Sequence, residues 1–311
     1  MQKLLYQDEA YRMLDRLWAG GRFPHALLIE GAPGSGKRTL AAYAAALLLC
    51  RSDRDRPCGA CLSCHKLSTG NHPDLVVLDG GAKKAFAIEA VRALRREAWV
   101  APNESACRVF LLTETQNMDP RSQNALLKLI EEPPAHARFL LTASGRGALL
   151  DTILSRVTLL RMAELTAPLR EEALARLCPG VSEQDRRSAA LAFETVGQAA
   201  ASLTDEKARQ RLSDAAELLR CVEGRDRYGI LRVLAGRETD RDALSSVLAL
   251  CRTLCIARLT AGQADFSALQ CAGIVDIIET AQNRIRQNVG VPILSAVLAD
   301  ELTAVLSPAR A

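Results

Sequence analysis

Three glycines and a lysine fall within seven residues in GAPGSGKRTL, residues 31–40. The stretch follows the aliphatic run ALLIE and leads into the apolar segment LAAYAAALLL. A strand that ends in such a loop and re-enters as a helix points several backbone N–H groups, and the positive end of the helix, into one hollow. Gly31, Gly34, Gly36 and Lys37 therefore predict a phosphate loop, with Lys37 placed to reach outer phosphates. That loop needs a parallel sheet, and the sequence supplies one. Short aliphatic runs alternate with helical patterns up to about residue 161, as in DLVVLDG, AIEAVRALRREAW, RVFLLTE, SQNALLKLIEE and RFLLTAS. Such alternation predicts an α/β unit whose strands are buried on both faces.

The loop departs from a hydrolytic one at its eighth letter. Turnover of a bound nucleotide needs Mg²⁺, held by a hydroxyl just after the lysine and by an Asp on a later strand. Arg38 takes the first place, and Thr39 comes one residue late, turned about 100° around the helix. Thr113 stands at the expected Asp, which leaves Glu114 as a candidate water-orienting carboxylate. A retained scaffold loop is the expectation, and nucleotide binding without turnover is the alternative.

Cys50, Cys58, Cys61 and Cys64 form a C-x7-C-x2-C-x2-C cluster inside this unit. Four thiolates with no spare position suit a closed, structural tetrahedral zinc site in a module at about 50–72; an iron–sulfur site is the alternative. His65 and His72 are expected to be solvated loop residues. Cys107, Cys178, Cys221, Cys251, Cys255 and Cys271 lie singly in apolar surroundings, as small core residues do.

Beyond residue 161 only helical patterns remain. We expect an α/β domain over 1–163, a helical unit over 164–208 and a longer helical domain over 209–311, with Ile274, Ile277, Ile278, Ala281 and Ile285 on one helix face. Asp119 and Pro120 are expected to start a helix whose Leu126, Leu127 and Ile130 face the core, with Pro133 and Pro134 ending it. Hydrophobic residues make up 49% of the 311 and aromatics only 4%, so the core must be aliphatic. The net charge of +4 is spread without a block of one sign, which argues against a nucleic-acid tail or a membrane-binding patch. The longest apolar run, Leu40 to Cys50, is about half a membrane span. The start MQKLLYQDEAYRM is too polar for a signal peptide, so a cytoplasmic location is expected.

Together RFPHALLIEGAPGSGK, the cysteine cluster, NHPDLVVLD, RVFLLTETQNMDPRSQNALLKLIEEPP, DTILSRV and AQNRIRQNVGVPILSAVLADEL resemble the delta-prime subunits of the bacterial DNA polymerase III clamp loader. These belong to the AAA+ superfamily, together with tau/gamma. The resemblance covers nearly the whole chain and implies an AAA+ domain with an inserted zinc module, a helical lid and a helical oligomerisation collar. It also implies a hetero-pentamer with tau/gamma and delta subunits, contact with the sliding clamp and primed DNA through that complex, and no membrane.

In the family a Ser-Arg-Cys motif donates an arginine to the neighbouring subunit's ATP. Ser155 and Arg156 match it, and Val157 replaces the Cys. Alignment places Ser144 at sensor 1 and Gln198 near the sensor 2 cation. These departures imply a static subunit with no ATPase of its own, within a DNA-directed DNA polymerase holoenzyme. An ATP-hydrolysing tau/gamma-type subunit is the alternative. A standalone zinc-containing DNA-binding module would need a basic stripe with interleaved aromatics, and the sequence has neither.

Overall fold

The computed structural model describes residues 3–53, 55–82, 86–235, 240–287 and 289–306. The chain divides into two compact units, Met1–Glu164 and Leu165–Ala311.

In the first unit, strands β1 (Ala26–Glu30), β2 (Leu75–Asp79), β3 (Arg108–Thr113), β4 (Ala137–Ala143) and β5 (Thr158–Arg161) form one parallel sheet in the order β2-β3-β4-β1-β5. Successive side chains of a strand point to opposite faces, so an all-aliphatic run serves two cores. Leu27 and Ile29 face one cluster with Val109, Leu111 and Leu140, covered by α1 (Asp8–Ala19) and α2 (Lys37–Leu49). Ala26 and Leu28 face the other with Phe110, Leu112, Phe139 and Leu141, covered by α4 (Ile88–Ala98), α5 (Pro120–Glu131) and the short α6 (Asp151–Leu154). Between α2 and β2 lies α3 (Leu62–Ser68), within the cysteine-bearing insertion.

Local chemistry sets the boundaries. The Asp119 carboxylate accepts the Ser122 N–H at 2.7 Å and Pro120 supplies the first turn of α5. Leu126 and Ile130 are buried as expected, but Leu127 is only half-buried and Leu129 takes the inward place. The helix phase is fixed by the apolar stripe 126, 129, 130, which carries 127 to its flank.

The second unit is all helical: α7 (Ala167–Leu177), α8 (Glu183–Ala192), α9 (Val196–Thr204), α10 (Glu206–Glu223), α11 (Arg227–Ala235), α12 (Arg241–Thr260), α13 (Ala268–Arg286) and α14 (Val291–Val305). One continuous core runs from Leu174 through Leu219, Leu248 and Ile278 to Leu302. The sequence divided this region at 208/209, yet α8 and α9 contribute Ala189, Ala190, Ala199 and Leu203 to the same cluster as α10–α14. Ile274, Ile278, Ala281 and Ile285 are buried and Ile277 is partly buried at their edge. The α/β unit followed by helices is the fold class that the sequence predicted.

Two of the singly placed cysteines meet. Cys255 and Cys271 bring their sulfurs within 3.3 Å across α12 and α13, and Cys221 is half-buried. Burial pushes the fully enclosed Cys251 thiol up to about 12, which keeps it protonated and inert.

Candidate phosphate loop and metal centre

The loop leaves β1 at Glu30 and enters α2 at Lys37. Gly34 (φ 79°) and Gly36 (φ 95°) adopt left-handed conformations, and two of the glycines are also held by contact. A Cβ on Gly31 would lie 2.7 Å from the Met162 Cβ, and one on Gly36 would lie 2.5 Å from the Leu4 Cδ1. Leu4 and Met162 thus press on the loop from the N-terminal segment and from the residue just after β5.

Lys37, which the sequence places to reach outer phosphates, turns back onto the loop in this structure. Its Nζ donates to the carbonyl oxygens of Gly31 at 2.6 Å and Ala32 at 3.0 Å, and the residue is only 8% exposed. A buried ammonium must find acceptors, and these two carbonyls supply them. Burial lowers its pKa, and the Glu114 charge opposes that. Thr39 is exposed on the outer side of α2.

Arg38 crosses to the sheet. Its Nη2 pairs with Asp79 Oδ2 and donates to Thr113 Oγ1 at 3.2 Å, while Thr113 Oγ1 donates to Asp79 Oδ1 at 2.9 Å. Asp79 and Thr113 end β2 and β3 and are register partners, so the carboxylate and the hydroxyl arrive side by side. Hydrogen bonds from Arg38, Thr113 and the Gly81 N–H hold the Asp79 carboxyl below its usual range. The sequence left this region without a metal-ligand carboxylate and gave Glu114 only as a candidate to orient water. Asp79 is the residue it missed, and its only sequence signal is an acid closing an aliphatic run before glycine.

Glu114 has φ 54°, a conformation that non-glycine residues rarely adopt. Its N–H donates to Thr142 Oγ1 and its Oε2 accepts from Asn117 Nδ2 at 3.4 Å. Ser144 donates its N–H to Gln116 Oε1 at 3.1 Å. In the second unit, the N–H of Gln198 is capped by Thr195 Oγ1 in the first turn of α9.

The four clustered cysteines converge. Their sulfurs all lie within 4.8 Å of one another, with Cys50–Cys58 at 3.6 Å and Cys50–Cys61 at 3.9 Å. A tetrahedron with zinc–sulfur legs of about 2.3 Å has edges of about 3.8 Å, so the donor set fits a closed zinc site. Backbone N–H groups aim at the sulfurs: Ser52 and Cys58 at Cys50, Cys61 at Cys58, Cys64 at Cys61. Burial works against ionisation of Cys61, but the N–H groups of Arg51 and Cys64 and the neighbouring sulfurs bring its thiol down to about 6. Burial pushes Cys64 up to about 12, so a dication would have to displace its proton.

His65 is exposed, but His72 corrects the expectation of a solvated histidine: it is 3% exposed. Its Nδ1 accepts the Asp74 N–H at 3.1 Å, so its Nε2 carries the proton and donates to Ser63 Oγ at 2.8 Å. Ser63 in turn donates to the Leu49 carbonyl at 2.6 Å. Burial lowers the pKa of this imidazole, keeping it neutral. The chain of bonds ties α3 to the end of α2 just before Cys50. Asp74 is fully buried and accepts the N–H groups of Asn103 (2.6 Å), Glu104 (2.9 Å) and Ser105 (2.9 Å). Glu104 then pairs with Arg51 at 3.2 Å and with Lys66, closing the insertion onto the loop before β3.

Arg156 follows α6 and is exposed. Its Nη1 donates to the Thr152 carbonyl and to Ser155 Oγ, both at 3.0 Å, and its Nη2 pairs with Glu131 of α5 at 2.9 Å. The guanidinium stands at the surface, tethered to its own chain.

The family described as DNA polymerase III, delta subunit, matches residues 6–166, more than half of the chain. The chain belongs to this family. Within that DNA polymerase III group, the tau subunit of Salmonella typhimurium is 37% identical over 137 residues, 44% of this chain and 21% of the relative. The delta' subunit of Yersinia pestis is 34% identical over 148 residues, 47% of this chain and 44% of the relative. The matched stretch therefore spans less than half the length of these curated relatives. Among solved structures, a DNA polymerase III gamma subunit-related protein of Thermotoga maritima aligns over 93% of this chain and 99% of its own, with 16% identity and a TM-score of 0.47.

Proposed function

We propose that this chain is a clamp-loader subunit of a bacterial DNA polymerase III, acting in the cytoplasm as a static partner in the ring. Family membership and the likeness to tau and delta' subunits support the assembly. The observation that carries the static role is Arg38, whose guanidinium pairs with Asp79 where a hydrolytic site would keep an oxygen ligand for metal. In this reading the loop serves as scaffold, and nucleotide binding without turnover is the alternative.

The role toward ATP lies in Arg156. It sits on the surface at the end of a short helix, beside the carboxyl end of α5, and its one ion pair among the described residues is half-exposed. Such a pair contributes about 0–1 kcal/mol and exchanges readily for a phosphate. In the ring, Arg156 supplies charge to the nucleotide of a neighbouring tau/gamma subunit, with delta completing a hetero-pentamer that loads the sliding clamp on primed DNA. Residues 164–208 act as a lid-like segment and 209–311 as the collar. Cys50, Cys58, Cys61 and Cys64 hold one structural zinc.

Co-purification with tau/gamma, delta and clamp subunits tests the assembly, and Arg156→Ala in the reconstituted complex tests the donated arginine. The complex is expected to form while DNA-stimulated ATP turnover falls at least tenfold per affected site, within the about 10³–10⁵ that such arginines contribute elsewhere. Wild-type turnover with Arg156→Ala would reduce the subunit to scaffold.

A further inference from the structure

The residues around the loop do not fit a magnesium ion, and the misfit has a definite form. At the paired ends of β2 and β3, Asp79 offers a carboxylate and Thr113 a hydroxyl, oxygen donors of the kind that hold hard cations. Both Asp79 carboxylate oxygens and the Thr113 hydroxyl are already engaged. Asp79 Oδ1 accepts from Thr113 Oγ1 at 2.9 Å and from the Gly81 N–H at 3.2 Å, and Oδ2 is paired with Arg38. The same guanidinium nitrogen donates to Thr113 Oγ1 at 3.2 Å, so one positive group bridges both oxygens.

Arg38 comes from the first turn of α2, the position from which a phosphate loop ordinarily sends a hydroxyl to the metal. Glu114 approaches from the next residue of the chain, and its charge acts on Lys37. Two carboxylates thus face two cations contributed by adjacent loop residues. The local charge is balanced without any ion.

We propose that the Arg38 guanidinium is a tethered replacement for a divalent cation, occupying a cation position formed by Asp79 and Thr113 and so making this loop indifferent to Mg²⁺. A covalently attached monovalent cation differs from the ion it replaces in three ways. It cannot dissociate, it offers no open coordination position for water or phosphate, and its planar fork donates hydrogen bonds where a metal accepts lone pairs. The loop therefore holds one electrostatic state whatever the magnesium concentration. This inference rests on the loop being one without turnover, as proposed above, but it concerns the isolated chain and needs no partner subunit.

It follows that the cation position survives in latent form. Arg38→Ser removes the guanidinium and returns a hydroxyl to the first turn of α2, leaving Asp79 Oδ2 free. The experiment is a Mn²⁺ titration of the zinc-loaded full chain, followed by the electron paramagnetic resonance signal of free Mn²⁺. Wild type is expected to bind Mn²⁺ only weakly, and Arg38→Ser to gain one site at least tenfold tighter. Arg38→Ala, which frees Asp79 without adding a hydroxyl, is expected to show a smaller gain, and Arg38→Ser with Asp79→Asn to return to the wild-type titration.

Arg38 is 60% exposed at its side chain, so neither single substitution removes core packing, and an unchanged melting temperature checks this. Equal Mn²⁺ binding by wild type and both single variants would overturn the proposal. So would a gain that persists without the Asp79 carboxylate. A ring that fails to assemble, beside a tight site in Arg38→Ser, would reject the clamp-loader reading and leave this one standing.

Discussion

Asp74 shows what one buried carboxylate can hold in place. Three backbone N–H groups of the segment before β3 converge on it, and none has another partner as close at hand. Burial opposes its ionisation, but the three donors win and the carboxyl lies below its usual range. Asp74→Ala strands those donors and is expected to destabilise the first unit by about 3 kcal/mol, read from urea unfolding. The sign of the pH effect follows from the lowered pKa. The stabilisation is complete above the unfolded carboxyl value of about 4 and is lost as pH falls through the lower folded value. The stability gap between wild type and Asp74→Asn, measured from pH 6 downward, should therefore narrow below about pH 4. Neither Asp74 nor His72 was legible as a structural residue, because their partners lie on segments that sequence spacing does not bring together. Asp79 escaped for the same reason: its meeting with Thr113 is a fact of sheet register, and only the other two members of the trio, Arg38 and Thr113, stood out in motifs.

Among the elements, those built on local rules were the ones the sequence described well. The strands announced themselves as aliphatic runs and α5 by its cap; Asp119→Ala is expected to cost about 1 kcal/mol, measurable as a lower thermal midpoint. The phase of α5 was less legible, since LLKLI offers several apolar stripes and only packing against β3 and β4 chooses 126, 129 and 130. The shared core of the helical half was harder still to see, because small residues such as Ala189 and Ala199 contribute to it without strong periodicity. The insertion carrying the four cysteines is an element with little apolar content of its own, held by Ser63, His72, Glu104 and the sulfurs. Protein prepared without added metal is expected to carry one zinc per chain, and Cys61→Ser less than half an equivalent. Chelation should speed hydrogen exchange in α3 while leaving β1 and β4 protected.

For the whole molecule, the proposed static role raises the question of how a subunit without turnover of its own would affect hydrolysis in company. Arg156 is paired with Glu131, and the proposed engagement with a neighbour would break that pair. Glu131→Gln removes the competitor at the cost of a half-exposed ion pair. The isolated protein should melt within about 2 °C of wild type. The reconstituted complex should hydrolyse ATP at or above the wild-type rate, the opposite of Arg156→Ala. Steady-state turnover of both complexes at matched concentration checks the pair of outcomes; a tenfold fall with Glu131→Gln would mean that Glu131 positions the arginine.

The loop and the cysteines are the two ends of one rod. Helix α2 (Lys37–Leu49) is capped by Gly36 and Cys50, and its 13 residues span about 20 Å. At one end Lys37 is fastened to Gly31 and Ala32. At the other, Leu49 is clasped by Ser63 and Cys50 belongs to the sulfur cluster. A shaft carried in a single bearing can tilt, whereas one carried in two cannot. The cluster is the far bearing, so the helix that carries Arg38 toward the sheet is anchored at the end about 20 Å away as well as at the glycines beside it.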